Sequence, residues 1–502
     1  MTRALRMTLP KPKKSAMIRE DAIKGTVLEK LVAGSLARAA KLPPVTLRSV
    51  EEACRAPRAA KSFEAALRAP GRRFILEVKS ASPSLGVIRE HTDLHEYARA
   101  YGRFADAVSV LTEPSRFGGS LLRLRAMRAE TDLPIIAKDF MTDRRQLVAA
   151  RAAGADAVLL MLSVLTMKGY EELAAMAGAL GLDVLTEVSN EAELAEALSL
   201  NARIIGINNR DLRNLSIDLS RTEKLAPLVP EGRLIVSESG IKDHATIERL
   251  APYAKAFLIG SAIGLSQDIS CGVRRVLFGE SKCCGITRAE DALAAARAGA
   301  LRVGIVTAKR SPRCVSPSQF KKLAAEIRRE TAAAGLPVKI TAVADAADRR
   351  TLADLEGLDF DELQLHGETD EAFLRSLRIQ FKGKTLIGVY AMNDLSEAEK
   401  KARAAQIDEL LEKKLIDRAL LDAANKNGQT GGTGKTVDFD VIRLFKHPEA
   451  VLLAGGLNPA NARAAAASLA AGLDFNSGLE TAPGVKSAAL IARAFGALRG
   501  SL

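Results

Sequence analysis

Several apolar runs in this chain close on residues that can exchange protons or hold charge. The first ends Glu77-Val78-Lys79-Ser80-Ala81-Ser82, the third Ala137-Lys138-Asp139-Phe140, the fifth Thr186-Glu187-Val188, the sixth Gly206-Ile207-Asn208-Asn209-Arg210 and the seventh Ser237-Glu238-Ser239-Gly240. If these ends share one mouth, Glu77, Lys79, Lys138, Glu187, Asn208, Arg210 and Glu238 meet there. An ammonium in a dry pocket can protonate a carbonyl oxygen, and a neighbouring carboxylate can take a proton back. Buried charges cost several kcal/mol each unless partners hold them, so the set points to catalysis rather than to ion pairs closing a core.

A second kind of ending is small rather than charged. Ser237-Glu238-Ser239-Gly240-Ile241 and Phe257-Leu258-Ile259-Gly260-Ser261 have counterparts downstream in Val451-Leu452-Leu453-Ala454-Gly455-Gly456 and Leu473-Asp474-Phe475-Asn476-Ser477-Gly478. A buried strand that finishes in Gly or Ser lets its N–H groups approach an anion closely. Two such endings in succession are what the last two strands of a (β/α)8 barrel use to bind phosphate. The expected phosphate ligands are therefore Ser239, Gly240, Gly260 and Ser261 in the first half and Gly455, Gly456, Ser477 and Gly478 in the second. The loop Gly431-Gly432-Thr433-Gly434-Lys435-Thr436 ends like a nucleotide P-loop, but Gln429 stands where that motif needs glycine. It reads instead as a lid whose Gly432 and Gly434 bring N–H groups to a substrate phosphate.

The elements that must carry these ends follow from periodicity. Apolar runs recur near 74–78, 107–111, 135–137, 157–161, 183–187, 204–207, 234–237 and 256–259, separated by Ala- and Leu-rich helical stretches. After the seam Phe278-Gly279-Glu280-Ser281-Lys282-Cys283-Cys284 they restart at 281–284, 301–306, 338–343, 362–365, 385–390, 419–422, 451–454 and 473–476. Continuous runs of this kind are parallel strands buried on both faces. The expected fold class is α/β, with two consecutive (β/α)8 TIM barrels, residues 1–278 and 279–502. At 502 residues the chain suits two barrels of about 250 each. Residues 18–69 carry helical spacing (Val27, Leu28, Leu31, Val32, Leu36) ahead of the first strand and are expected to be a helical extension, extra to a barrel.

Composition excludes several classes. The net charge of +13 comes with 4% aromatics, no Trp and scattered basic residues, so it reads as a solvated surface and not as a nucleic-acid interface. No apolar run has the roughly 18–20 residues of a membrane span. Five cysteines, at 54, 271, 283, 284 and 314, form no CxxC pair or disulfide framework and suggest a reducing cytoplasm. Five scattered histidines give no metal-ligand spacing. No metal, cofactor, nucleic acid, membrane or obligate protein partner is expected, only small phosphorylated substrates. The basic stretch 1–14, free of acids until Glu20, has two open readings, a mobile arm and a targeting address, of which the arm is expected.

The motifs carry a resemblance. Glu77-x-Lys79-x-x-Ser82-Pro83-Ser84, Lys138-Asp139-Phe140, Leu160-Met161-Leu162-Ser163, Thr186-Glu187-Val188, Gly206 to Leu212, Ser237 to Ile241 and Gly260-Ser261 resemble indole-3-glycerol phosphate synthase. Cys284-Gly285-Ile286-Thr287, Ser311 to Cys314, Gln364 to Gly367, Leu420-Leu421-Asp422, Gly431 to Gly434, Ala454 to Pro459 and Asp474 to Glu480 resemble phosphoribosylanthranilate isomerase. The resemblance implies a fused enzyme of tryptophan biosynthesis in which the product of the C-terminal barrel feeds the N-terminal one. It implies that Lys138 is the acid of ring closure, that Lys79, Glu77 and Glu187 share the later proton transfers in an order left open, that Asn208, Arg210 and Glu238 position the substrate, and that Ser82 joins Ser239, Gly240, Gly260 and Ser261 in binding phosphate or sugar hydroxyls. In the second barrel it implies Asp422 as acid, Cys284 as base, Arg313 as the grip on a carboxylate and His366 as a further substrate-binding residue. Two other readings remain: a different pair of sugar-phosphate barrels, which the Glu77/Lys79/Lys138/Glu187 set disfavours, and a fusion in which one barrel is only a phosphate-ligand sensor.

Overall fold

The computed structural model describes residues 17–55, 60–423 and 438–500. The lid residues Gly432 and Gly434 and the arm 1–14 lie outside the described residues. Each half closes a barrel of eight parallel strands. The chain divides into two compact units, the second beginning at Val273 inside the helix Ile269–Phe278 and taking in the stretch Asp243–Arg249.

In the first barrel the strands are Arg73–Val78, Ala107–Leu111, Ile135–Lys138, Ala157–Met161, Asp183–Val188, Ile204–Asn208, Leu234–Glu238 and Ala256–Ile259. Arg73–Val78 pairs with both Ala107–Leu111 and Ala256–Ile259, which closes the ring. Register then fixes the chemistry: Leu111 faces Lys138, Met161 faces Glu187 and Asn208 faces Glu238, so the charged ends lie in one layer at the C-terminal mouth. Because side chains alternate across a strand, the inward position below Asn208 is Gly206, two residues earlier, and Gly260 follows the end of the last strand. Both are glycines for a steric reason. A Cβ at Gly206 would lie 2.2 Å from Glu238 Oε1, and one at Gly260 would lie 2.6 Å from Glu77 Oε1.

The N-terminal helices are extra to the barrel, as expected, yet they are not passengers. Helix Val27–Ala40, capped by Thr26, sets Ser35 against the Phe140 carbonyl and the Gln146 amide. Its Arg38 binds Glu113 at 3.2 Å and Asp139 at 2.7 Å, tying together the loops after the second and third strands. Sequence periodicity shows that such a helix buries a face; it does not show which loops that face holds.

In the second barrel the strands are Lys282–Cys283, Arg302–Val306, Lys339–Asp345, Glu362–His366, Thr385–Ala391, Arg418–Asp422, Val451–Leu453 and Gly472–Phe475. Its mouth carries Cys284, His366 and Asp422, while an ionic layer closes the opposite end. There the Arg302 guanidinium, 1% exposed, donates through Nε to both oxygens of Glu362, 0% exposed, at 2.8 and 2.9 Å, and pairs with Glu280. Thr341 Oγ1 donates to the same Glu362 at 2.9 Å. No helix among the described residues is long and apolar enough to cross a membrane.

Breaking a buried ion pair by removing one charge strands the other. Glu362→Gln should therefore cost the C-terminal barrel roughly 3–5 kcal/mol, read as a lower denaturant midpoint; a change within about 0.5 kcal/mol would mean that the layer is held by packing alone.

Candidate active sites

The first site is a cleft of about 600 Å³, open mouth included, lined by Glu77, Lys79, Ser82, Lys138, Glu187, Asn208, Arg210 and Ser239 among others. Strand-end reasoning thus brings together the residues it named. Glu238 stands directly behind the lining, and Gly240, Gly260 and Ser261 do not line the cleft. At its centre is Lys138, whose Nζ lies 3.1 Å from Glu238 Oε2 and 3.3 Å from Glu77 Oε2. Lys79 Nζ reaches the other Glu77 oxygen at 3.1 Å. Asn208 accepts from the Arg210 N–H at 2.9 Å, and the Arg210 guanidinium reaches Ser84 Oγ at 3.2 Å.

These contacts drive the titration of the carboxyls apart. Burial alone pushes Glu77 up, but the ammonium groups of Lys138 and Lys79 outweigh it and hold the carboxyl at about 2. Burial works against the charge on Lys138, yet Glu77, Glu238 and Glu187 together raise it above the usual lysine range. Burial, followed by the Glu238 carboxylate, pushes Glu187 up to about 8. Glu238 is raised as well, by burial, with Lys138 acting against it. The site therefore holds a permanent carboxylate, a permanent ammonium and a carboxyl pair that retains a proton at neutral pH.

Sequence reasoning missed part of the wall. Phe117 and Phe140 line the cleft with ring centroids 6.3 Å apart, and Lys79 Nζ sits 5.8 Å from the Phe117 ring centre. Glu113 caps the turn that carries Phe117, accepting from the N–H groups of Ser115, Arg116 and Phe117. It follows the second strand end by two residues, so the strand-end rule applied there would have found it.

The second site is built around Cys284 and Asp422. Cys284 packs with Val306 and Val343, and a Cβ at Gly304 would lie 2.6 Å from its Sγ, so the facing glycine makes room for the thiol. Burial raises the Cys284 thiol while the Lys282 ammonium pulls it down. Its neighbour Cys283 is buried too, and burial pushes it up to about 12. Burial and then the Asp474 carboxylate lift Asp422 to about 6. His366 is driven down to about 4, first by burial and then by Lys282.

Arg313 is already engaged: its Nε and Nη2 hold Glu480 in a two-pronged contact at 2.8 and 2.6 Å, and Lys486 joins that carboxylate at 2.7 Å. Of the expected phosphate residues, Gly455 and Gly456 have φ of +88° and +62°. Ser477 and Gly478 open the turn after the last strand, where a Cβ at Gly478 would meet the Leu457 carbonyl oxygen at 2.0 Å. Lys282, Asp474, Gln364, Glu480 and Lys486 were given no role from sequence, although Gln364, Asp474 and Glu480 fall within the motifs of the isomerase resemblance. Lys282 had one available signal, its place two residues before Cys284 on the same face of the strand. Among the described residues no group of three or more His, Cys, Asp or Glu is arranged to hold a metal ion.

Two closed barrels, each gathering its titratable groups at the C-terminal mouth, define a pair of barrel enzymes joined in one chain. Residues 28–276 match the family model of indole-3-glycerol phosphate synthase, and residues 281–497 that of N-(5'-phosphoribosyl)anthranilate isomerase. The tryptophan biosynthesis protein TrpCF of Vibrio cholerae is 42% identical over 443 residues, which cover 88% of this chain and 89% of that one. The protein of the same name from Yersinia pestis is 42% identical over 443 residues, covering 88% and 87%. The chain belongs to this family of bifunctional tryptophan-biosynthesis enzymes, with a synthase half followed by an isomerase half.

The Glu187 proton has a consequence for stability. The folded barrel keeps it up to about pH 8, whereas the unfolded chain releases it near the ordinary value of about 4.3. Between those limits rising pH favours the unfolded state through this group. The denaturant midpoint of the N-terminal barrel should fall from roughly pH 4.5 to 8 more steeply in the wild type than in Glu187→Gln, which cannot ionise. Equal slopes would place the Glu187 proton in water rather than in the site.

Proposed function

We propose that the C-terminal barrel rearranges N-(5-phosphoribosyl)anthranilate to 1-(2-carboxyphenylamino)-1-deoxyribulose 5-phosphate, and that the N-terminal barrel closes this product to indole-3-glycerol phosphate with loss of CO2 and water. The observation that carries the synthase reading is Lys138, an ammonium kept charged between Glu77 and Glu238 at the floor of a cleft with aromatic walls. Phe117 and Phe140 suit a planar anthranilate ring, and Arg210 with Ser82 and Ser239 suits the phosphate-bearing chain. As the ring carbon attacks the ketone, Lys138 gives its proton to the ketone oxygen, and the carboxylate bond breaks to release CO2. Departure of the hydroxyl as water requires a further proton, and the C1' carbon then gives up its own proton to the conjugate base of that donor as the indole double bond forms. Lys79 and the neutral Glu187 are the donors in reach, and Glu187, once ionised, faces the positive charge developing on the ring nitrogen. Glu77, ionised throughout, orients both lysines.

In the isomerase half, Asp422 gives a proton to the furanose ring oxygen as the C1'–O bond opens, and the Cys284 thiolate then takes the C2' proton. The elevation of Asp422 to about 6 supports its role as an acid near neutral pH. Arg313, fixed along one edge by Glu480, has its remaining N–H groups for the anthranilate carboxylate. His366, neutral at working pH, is a hydrogen-bonding and not a charged contact. Gly432 and Gly434 are proposed to close on the phosphate together with Gly455, Gly456, Ser477 and Gly478, and Gly240, Gly260 and Ser261 to serve the phosphate of the first site. The working compartment is proposed to be the cytoplasm.

The test is a coupled assay from phosphoribosylanthranilate to indole-3-glycerol phosphate. Lys138→Met should lower ring closure by on the order of 10²–10⁴-fold and leave isomerisation intact, so that the carboxyphenylamino intermediate accumulates. Cys284→Ala should stop isomerisation and leave closure of supplied intermediate untouched, whereas Cys283→Ala keeps both activities at a stability cost of about 1 kcal/mol. Near-normal closure in Lys138→Met, or an active Cys284→Ala beside an inactive Cys283→Ala, would sink these assignments.

The functional halves are proposed to be residues 1–278 and 279–502. Expressed separately, each should retain part of its own activity. Fragments inactive alone and when mixed would mean that the halves depend on one another to fold.

A further inference from the structure

The isomerase chemistry demands an unfavoured combination of protonation states. An ordinary thiol titrates near 8.5 and an ordinary aspartic acid near 3.9, so a thiolate beside a neutral carboxylic acid is present in only roughly 10⁻⁴ to 10⁻⁵ of molecules between those values. Whatever raises the acid and lowers the thiol together multiplies the productive fraction.

Beneath Cys284 and Asp422 lies a buried ion pair that the proton transfers do not use. Lys282, 0% exposed, binds Asp474 Oδ2 at 2.9 Å and also contacts Gln364 Oε1; Gln364 Nε2 in turn meets His366 Nε2 at 3.1 Å. Lys282 and Asp474 are direct register partners. Around the barrel the strands run Arg418–Asp422, Val451–Leu453, Gly472–Phe475 and then Lys282–Cys283. The ammonium thus shares the strand of Cys284, and the carboxylate stands one strand nearer to Asp422. The second oxygen of Asp474, Oδ1, is buried without a hydrogen-bond partner among the described residues, a cost that a pair serving only stability would not retain.

We propose that Lys282 and Asp474 form an oriented charge pair, its ammonium end toward Cys284 and its carboxylate end toward Asp422, that favours the thiolate and the neutral acid at the same time. This rests on the reading of Cys284 as base and Asp422 as acid. The ranking of influences agrees with the orientation. At Cys284, Lys282 acts more strongly than Asp474, with Lys486 a further cation and Arg313 in electrostatic contact. At Asp422, Asp474 acts more strongly than Lys282. Other charged or titratable neighbours are Glu362, which acts on Lys282, Cys283, which is linked to Cys284, His366, which feels Lys282 and Asp345, and Glu480, which is held by Arg313 and Lys486. Lys282 and Asp474 are positioning residues, since neither reacts.

The experiment follows isomerase kcat/KM against pH in the full chain with phosphoribosylanthranilate. In Lys282→Met/Asp474→Asn both charges go, so the two limbs of the profile should move apart by about one pH unit in total, and the plateau should fall about tenfold. In Asp474→Asn alone both limbs should move to lower pH, because a negative charge near both groups is lost; this variant decides the matter should the double variant not fold. Asp474→Glu should restore the wild-type limbs. A lower plateau with limbs unmoved would overturn the proposal and leave the pair a purely structural one. Cys284→Ala and Asp422→Asn separate the two levels of inference. If both are inactive while the limbs of the pair variants stay put, only the charge-pair proposal fails; if either is active, the acid and base reading itself fails.

Discussion

The first site depends on one ammonium held among carboxylates. Lys138 lies 3.3 Å from Glu77 and 3.1 Å from Glu238, both of them buried, so each charge is tolerable only because the others are present. The same arrangement leaves too much negative charge for three ionised glutamates. The surplus is eased by Glu187 and Glu238, both raised by burial, which as a pair retain a proton at neutral pH.

The isomerase half solves a related problem with a different inventory. Its proposed acid and base are a carboxyl and a thiol, with little intrinsic power at neutral pH. Charge enters from the layer below, where strand register rather than loop conformation fixes Lys282 and Asp474. Further down, Arg302 and Glu362 close the barrel. The interior of this half is therefore polar at several levels, and its apolar core includes the packing of Ile387, Leu420 and Leu452.

What could be read in the sequence was what periodicity and strand ends encode. All sixteen barrel strands coincide with apolar runs, and Lys138, Glu77, Glu187 and Asn208 were visible because a charged or amide side chain at the end of such a run is costly to bury without a use. Lys282 and Asp474 were harder to see, because each sits inside a short run whose cysteines, leucines and phenylalanine carry the strand signal. Arg38 was invisible for another reason: its partners Glu113 and Asp139 lie 75 and 101 residues away. No local pattern encodes a contact at that distance. The two-pronged hold of Glu480 on Arg313 belongs to the same class, with 167 residues between them.

Gly206 and Gly260 carry a consequence for descent. Each occupies an inward position where even a methyl group would run into the carboxylate of Glu238 or Glu77. In a lineage of such chains the two members of each couple cannot drift separately. An alanine becomes admissible at the glycine only after the facing acid has retreated, for instance by shortening to aspartate, and the retreat itself loosens the hold on Lys138. The order of mutational steps is therefore constrained as well as their sum, and the glycines are held in place by residues that never touch the backbone conformation they permit.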